Sequence, residues 1–246
     1  MRSTNPAINR LSRLERTEER TASYFGIAVK SVFFVLLTLV SAVGSFALAM
    51  SLQSEGFFLF LLVGAPILAL VCSLIASFVP ATTPVTGSLY AIFMGAAVGL
   101  ISGILDAAYS GIVFAALIST VVTFGLMTTL YATKIIRVGS FFKRFMISAL
   151  LGIILAQLII FIVSLFSPAI SELFYGNNIF SILISAGMVI FAALFILIDL
   201  DRMTELVEAG VDKKHEWMAS FGLLLTLIWL YMRFLQLFAK IAGRKK

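Results

Sequence analysis

Charged and strongly polar side chains are scarce in the long apolar stretches of this chain, and those that occur there are the groups able to do chemistry. Lys30, Asp106, Gln157, Asp199 and Arg233 each sit in or at the end of a run of aliphatic and aromatic residues. An ionisable group in the middle of an apolar helix costs about 2.5–3.5 kcal/mol on insertion scales, so each calls for a partner, a route to water or a function. Lys30 falls about 20 residues before Met50, about 30 Å along a helix and therefore near one face, where its stem can snorkel. Asp106 ends its run within reach of headgroups, and Gln157 has the chemistry of an interhelical hydrogen bond. Asp199 closes the sixth run, two residues before Asp201. That spacing is about 200° round a helix, so the two carboxylates cannot form one site by themselves. Asp199 and Arg202, at i and i+3, share a face, and Lys30 at similar depth on the first helix is a second geometric partner. Arg233 lies about 15 residues into the last run, close to neither end, and calls for a carboxylate or a wet cavity.

Other residue types argue against catalysis. His215-Glu216 lacks the second histidine of H-E-x-x-H, and the chain has no other histidine. Its one cysteine, Cys72, lies in an apolar run, so neither a disulfide framework nor a thiolate metal site can be built within one chain. Asp106 and Asp199 are expected on opposite faces of the bilayer, which disfavours an aspartyl protease, and the last helix has no lysine before Lys240 for a Schiff base. The expectation is a protein that is not an enzyme, with no metal site and no resident cofactor.

The elements that must position these residues are membrane spans. The 246 residues are 61% hydrophobic and 12% charged, with a mean hydropathy of +1.10, which excludes a soluble globule. The basic residues behind the net charge of +6 sit between apolar segments, so they read as topology signals and nucleic acid is set aside as a partner. A bilayer core about 30 Å thick needs about 20 apolar residues per helix. Seven runs qualify: Phe25 to Met50, Phe57 to Val79, Val85 to Leu105, Ile112 to Ala132, Phe145 to Phe166, Ile179 to Ile198 and Met218 to Ala239. Breakers such as Pro80, Pro84, Gly111, Pro168 and Gly176 separate them. The chain thus divides into a polar, basic tail over 1–23 and a seven-helix all-α membrane domain over 24–246, with the first run too long for a cleaved signal and read as a retained anchor.

Lys and Arg cluster in the tail (Arg2, Arg10, Arg13, Arg16 and Arg20), in the fourth loop (Lys134, Arg137, Lys143 and Arg144) and in the sixth (Arg202, Lys213 and Lys214). The remaining loops carry none, which places the N-terminus and the even-numbered loops in the cytoplasm. Seven crossings then leave Lys240, Arg244, Lys245 and Lys246 outside, and a re-entrant last helix is the alternative that would keep that basic cluster in the cytoplasm. Gly95, Gly99 and Gly103 form a doubled G-x-x-x-G on one face of the third helix, a surface for close helix packing.

The chain resembles the Bax inhibitor (YccA-like, transmembrane Bax-inhibitor-motif) family along nearly its whole length. The resemblance is carried by Met1-Arg2-Ser3-Thr4-Asn5-Pro6 and by Gly99, Ile101 and Ser102 with Asp106-Ala107-Ala108-Tyr109-Ser110-Gly111-Ile112-Val113. Its most specific part is Ile198-Asp199-Leu200-Asp201, Glu208-Ala209-Gly210-Val211, His215-Glu216-Trp217 and Leu227-Ile228-Trp229-Leu230-Tyr231-Met232. The match is best to the bacterial subgroup with a longer connection between its last two helices, in the plasma membrane. The resemblance implies six helices around a central seventh, and an acidic pair, one residue ending helix six and one on helix seven, whose shared proton gates a calcium leak. Asp199 matches the first position, and Arg233 stands at the second, after Leu230-Tyr231-Met232. An arginine facing Asp199 would hold it ionised and repel calcium, giving a locked bridge with low, pH-insensitive flux that Arg233→Glu would release. The resemblance also implies a second role, that of a non-transporting regulator of membrane protein quality control or of a membrane protease, with the tail as its handle.

Overall fold

The computed structural model describes residues 21–244. They form α1 (Tyr24–Leu52), α2 (Glu55–Phe78), α3 (Pro80–Ala108), α4 (Ile112–Ala132), α5 (Ser140–Ser164), the short α6 (Pro168–Tyr175), α7 (Ile179–Glu208) and α8 (His215–Arg244). All but α6 are long and apolar enough to cross a membrane, which makes seven spans among the described residues. The arginines of the tail, and the opening Met1 to Pro6, lie outside the described residues.

Local chemistry sets the helix ends. The Ser23 hydroxyl accepts from the Gly26 N–H at 3.0 Å to start α1, and the Asn178 side chain accepts from the Ser181 N–H at 2.8 Å to start α7. Gly111 turns the chain between α3 and α4 at φ 83°, where a side chain would be strained. Within α2, Pro66 has no N–H to donate, and the ladder just before it widens into a π-turn over Phe60–Gly64.

Close contact of α1 with α3 dominates one side of the bundle. A Cβ at Gly95 would meet the Thr38 carbonyl, one at Gly99 the Ala42 backbone, and one at Gly103 the Phe46 ring. The approach lets the Ser41 hydroxyl donate to the Ile92 carbonyl at 2.6 Å and the Ser45 hydroxyl to that of Ala96 at 3.1 Å. Small residues and interhelical hydrogen bonds are what hold helices together where lipid removes the hydrophobic drive.

The hub is α8, which packs against α1, α3, α4 and α7 and buries side chains on several faces, including Phe221, Leu224, Leu230 and Leu235. The surround is uneven: α2 packs mainly on α3, and α5 stands at the rim with Met146 as its one buried residue. Gln157 on α5 is exposed and makes no hydrogen bond within the described residues, so the interhelical bond expected of it is not formed; its helix is too far out. The re-entrant alternative for the last helix calls for a break or turn within it, and none is present. Helix α8 is unbroken over 30 residues, and its Lys240 reaches Ser181 at the far end of α7.

Candidate functional site

Asp199 does not end its helix. Hydropathy stops the sixth run at the first charges, but α7 continues to Glu208, which leaves Asp199 about 14 Å inside the cytoplasm-proximal end expected from sequence. Its Oδ2 accepts a short hydrogen bond from the Thr226 hydroxyl of α8. No ion pair to Asp199 forms among the described residues, although the field of Arg202, three residues on, reaches it.

Neither cation proposed across the helices pairs with it. Arg233 lies seven residues beyond Thr226, about 10 Å further along α8, and the bridge to Asp199 that the family resemblance implies is absent among the described residues. Arg233 instead donates to the Gln236 side chain at 3.2 Å and sits 5.9 Å from the Trp229 ring, and its buried Nε has no partner among the described residues. Lys30 pairs with Glu216.

That second pair is the most enclosed charge cluster described. Glu216, in the first turn of α8, is fully buried; it accepts from the Lys30 ammonium, from the Ser23 N–H at 2.9 Å and from the Ser23 hydroxyl at 3.1 Å. Gly26 makes room, since a Cβ there would run into the carboxylate. Lys30 also lies 5.3 Å from the Trp217 ring, which packs edge-on against Phe33 and Phe34. Next to it the chain before α1 is stitched to the α7–α8 loop by a Thr21–Asp212 bridge and an Ala22 N–H bond to the Val211 carbonyl at 2.8 Å. In that loop the Lys214 N–H donates to Asp212 and holds its carboxyl below the usual carboxylate range. From sequence Glu216 reads as half of a failed metalloprotease motif and as part of the family resemblance, not as the partner of Lys30; its place one residue before a tryptophan at the start of an apolar run is the signal that could have exposed it.

The remaining candidates are structural in this geometry. Asp201 pairs with Lys143 of α5 and accepts from the Tyr131 hydroxyl of α4 at 3.1 Å, while Lys143 also binds Glu205 at 2.6 Å, so three helices are tied at one end. Asp106 accepts from the N–H groups of Gly111 and Val113, at 3.0 and 3.3 Å, and so caps the α3–α4 turn. No group of three or more metal-ligating His, Cys, Asp or Glu side chains occurs among the described residues.

A family model described as Bax inhibitor 1 like matches residues 5–243, all but the two ends of the chain. The protein belongs to the Bax inhibitor 1-like family. A search of curated proteins returns no match. Within this Bax inhibitor 1-like bundle, the α8 side chain that faces Asp199 is the hydroxyl of Thr226, where the resemblance implies a second carboxylate. The family's signature around Leu230-Tyr231-Met232 instead packs the core: Leu230 is fully buried, and the Tyr231 hydroxyl shares a 2.7 Å hydrogen bond with Ser102 of α3.

Proposed function

We propose that this Bax inhibitor 1-like protein is a regulated cation leak, with calcium as the transported ion and Asp199 as its control residue. It acts without catalysis or a resident cofactor, in a bacterial plasma membrane with the N-terminus in the cytoplasm. One observation carries the reading: inside the span, Asp199 is turned to the hub helix and held by a hydroxyl, with no ion pair to a basic side chain among the described residues. Carboxylates within spans mark ion and proton pathways, and a carboxylate oxygen is a ligand suited to calcium. With Arg233 about 10 Å away along α8, the locked bridge is no longer the expected resting state. Native flux should therefore be measurable, and it should differ between acidic and neutral pH. In proteoliposomes, Asp199→Asn should abolish that difference. Native flux no greater than that of empty vesicles, or an unchanged pH response in Asp199→Asn, would overturn the leak.

The hydroxyl at Thr226 favours a second reading, since a lone carboxylate lacks the paired site that the family resemblance implies. Under it the protein is a non-transporting regulator of membrane protein quality control or of a membrane protease. It would show no flux, and a chain lacking residues 1–20 would lose co-purification with the protease while keeping its thermal stability.

A further inference from the structure

Three cations recur along one side of the C-terminal half of α8, Arg233, Lys240 and Arg244, spaced by seven and then four residues. None takes part in an ion pair among the described residues. Lys240 satisfies its protons on neutral acceptors only, the Phe174 carbonyl at 3.1 Å and the carbonyl and hydroxyl of Ser181. Its donors are matched, but its charge is not. Arg233 is in the same position one face-repeat deeper, with a buried Nε that has no partner among the described residues. Positive charge at this end of the hub helix thus accumulates without an ion-paired carboxylate among the described residues.

Beside it runs a groove of about 370 Å³ between the start of α7 and the end of α8, lined by Ile179, Ile182, Ile241 and Arg244. Three of the lining residues are isoleucines and the fourth is an arginine. Gly243 lets the α6–α7 loop close over the helix end, since a Cβ there would meet the Asn177 amide and the Tyr109 hydroxyl. Depth completes the picture. A 30-residue helix is about 45 Å long against a hydrocarbon core of about 30 Å, so the last turn of α8, with Lys240, Ile241 and Arg244, and the first turn of α7, with Ile179 and Ile182, lie together at the boundary between headgroups and acyl chains.

The geometry points to a binding site for one anionic phospholipid, its phosphate held by Arg244 within the field of the Lys240 ammonium and an acyl chain in the isoleucine groove. The charge asks for an anion, and the apolar walls at interfacial depth select an anion that carries a chain. Arg233 extends the positive field inward and draws the headgroup towards α8.

Native mass spectrometry of the full chain, released from micelles containing equal phosphatidylglycerol and phosphatidylcholine, tests this. The protein should retain phosphatidylglycerol over phosphatidylcholine by about tenfold. Lys240→Gln/Arg244→Gln should bring that ratio close to one. Because Lys240 also holds the end of α6, Arg244→Glu at an exposed position is the second variant, and it should reverse the preference without loss of the folded charge-state distribution. Equal retention of the two lipids by the native chain, or an unchanged preference in Arg244→Glu, would overturn the site. Displacement of the lipid by millimolar glycerol 3-phosphate would also overturn it, because the groove would then be reading free phosphate and not a lipid.

Discussion

At the scale of single residues, two carboxylates on adjacent helices have opposite surroundings, and under the proposed leak this separates structure from control. Glu216 is matched by one ammonium and two Ser23 donors in a fully buried pocket, an arrangement with no spare lone pair facing a pathway. Removing one partner of a buried pair leaves the other uncompensated, at a cost of about 3–5 kcal/mol. Lys30→Met and Glu216→Gln should therefore each lower the unfolding midpoint in detergent markedly. The double variant Lys30→Met/Glu216→Gln should lose much less than the sum, because it strands no charge. Additive losses would show that the two do not act as a pair. Asp199 has only a hydroxyl opposite, so its tests are functional. Thr226→Asp places a second carboxylate within reach of Asp199, and two facing carboxylates share a proton. Calcium flux through that variant should vary with pH more steeply than native flux, while Arg233→Glu, about 10 Å off, should leave the steepness unchanged. The reverse result would restore Arg233 as the partner.

At the scale of elements, the glycines of α3 separate close packing from mere helix composition. A Cβ at Gly99 would collide with the Ala42 backbone, which has no flexible end to move aside, whereas one at Gly187 or Gly222 would meet nothing. Gly99→Ala should thus destabilise the chain by several kcal/mol and loosen α1 from α3, as measured by thermal unfolding. Gly187→Ala should be neutral or slightly stabilising, because it removes only backbone freedom. The contrast bears on how much could be read beforehand. The Gly95, Gly99 and Gly103 face and the Ile112–Ala132 span are legible in the sequence because periodicity and run length are local properties. Hydropathy ends the last two runs at Ile198 and Ala239, where charge begins, while the backbone ladder continues to Glu208 and Arg244. Run length alone therefore places Asp199 at a helix end. Motif positions do not identify its partner, because which residues of α7 and α8 share a depth depends on where both helices start and stop. Once α8 begins at His215, Thr226 falls beside Asp199 and Glu216 beside Lys30, and neither pairing follows from spacing along the chain.

At the scale of the whole molecule, the run of α8 fixes which ends of the chain share a side of the membrane. Its first turn is joined to the start of α1 through Glu216 and Ser23, and its last turns touch Ser181 at the start of α7 and Phe174 of α6. No break or reversal lies between them, and about 45 Å of helix is enough to carry the chain from one interface to the other. Lys240 and Arg244 therefore lie at the opposite end of α8 from the α7–α8 loop, and Arg244 lines the isoleucine groove. This arrangement predicts opposite accessibility for two engineered thiols in a Cys72→Ser background. Lys213→Cys, in the loop, should react with a membrane-impermeant maleimide only in inverted vesicles, and Arg244→Cys only in right-side-out ones. Reaction of both from the same side would mean that α8 turns back within the membrane, and would remove both the hub and the depth argument for the lipid site. Reaction from opposite sides but with the assignment exchanged would leave the bundle intact and invert it, placing the N-terminus outside.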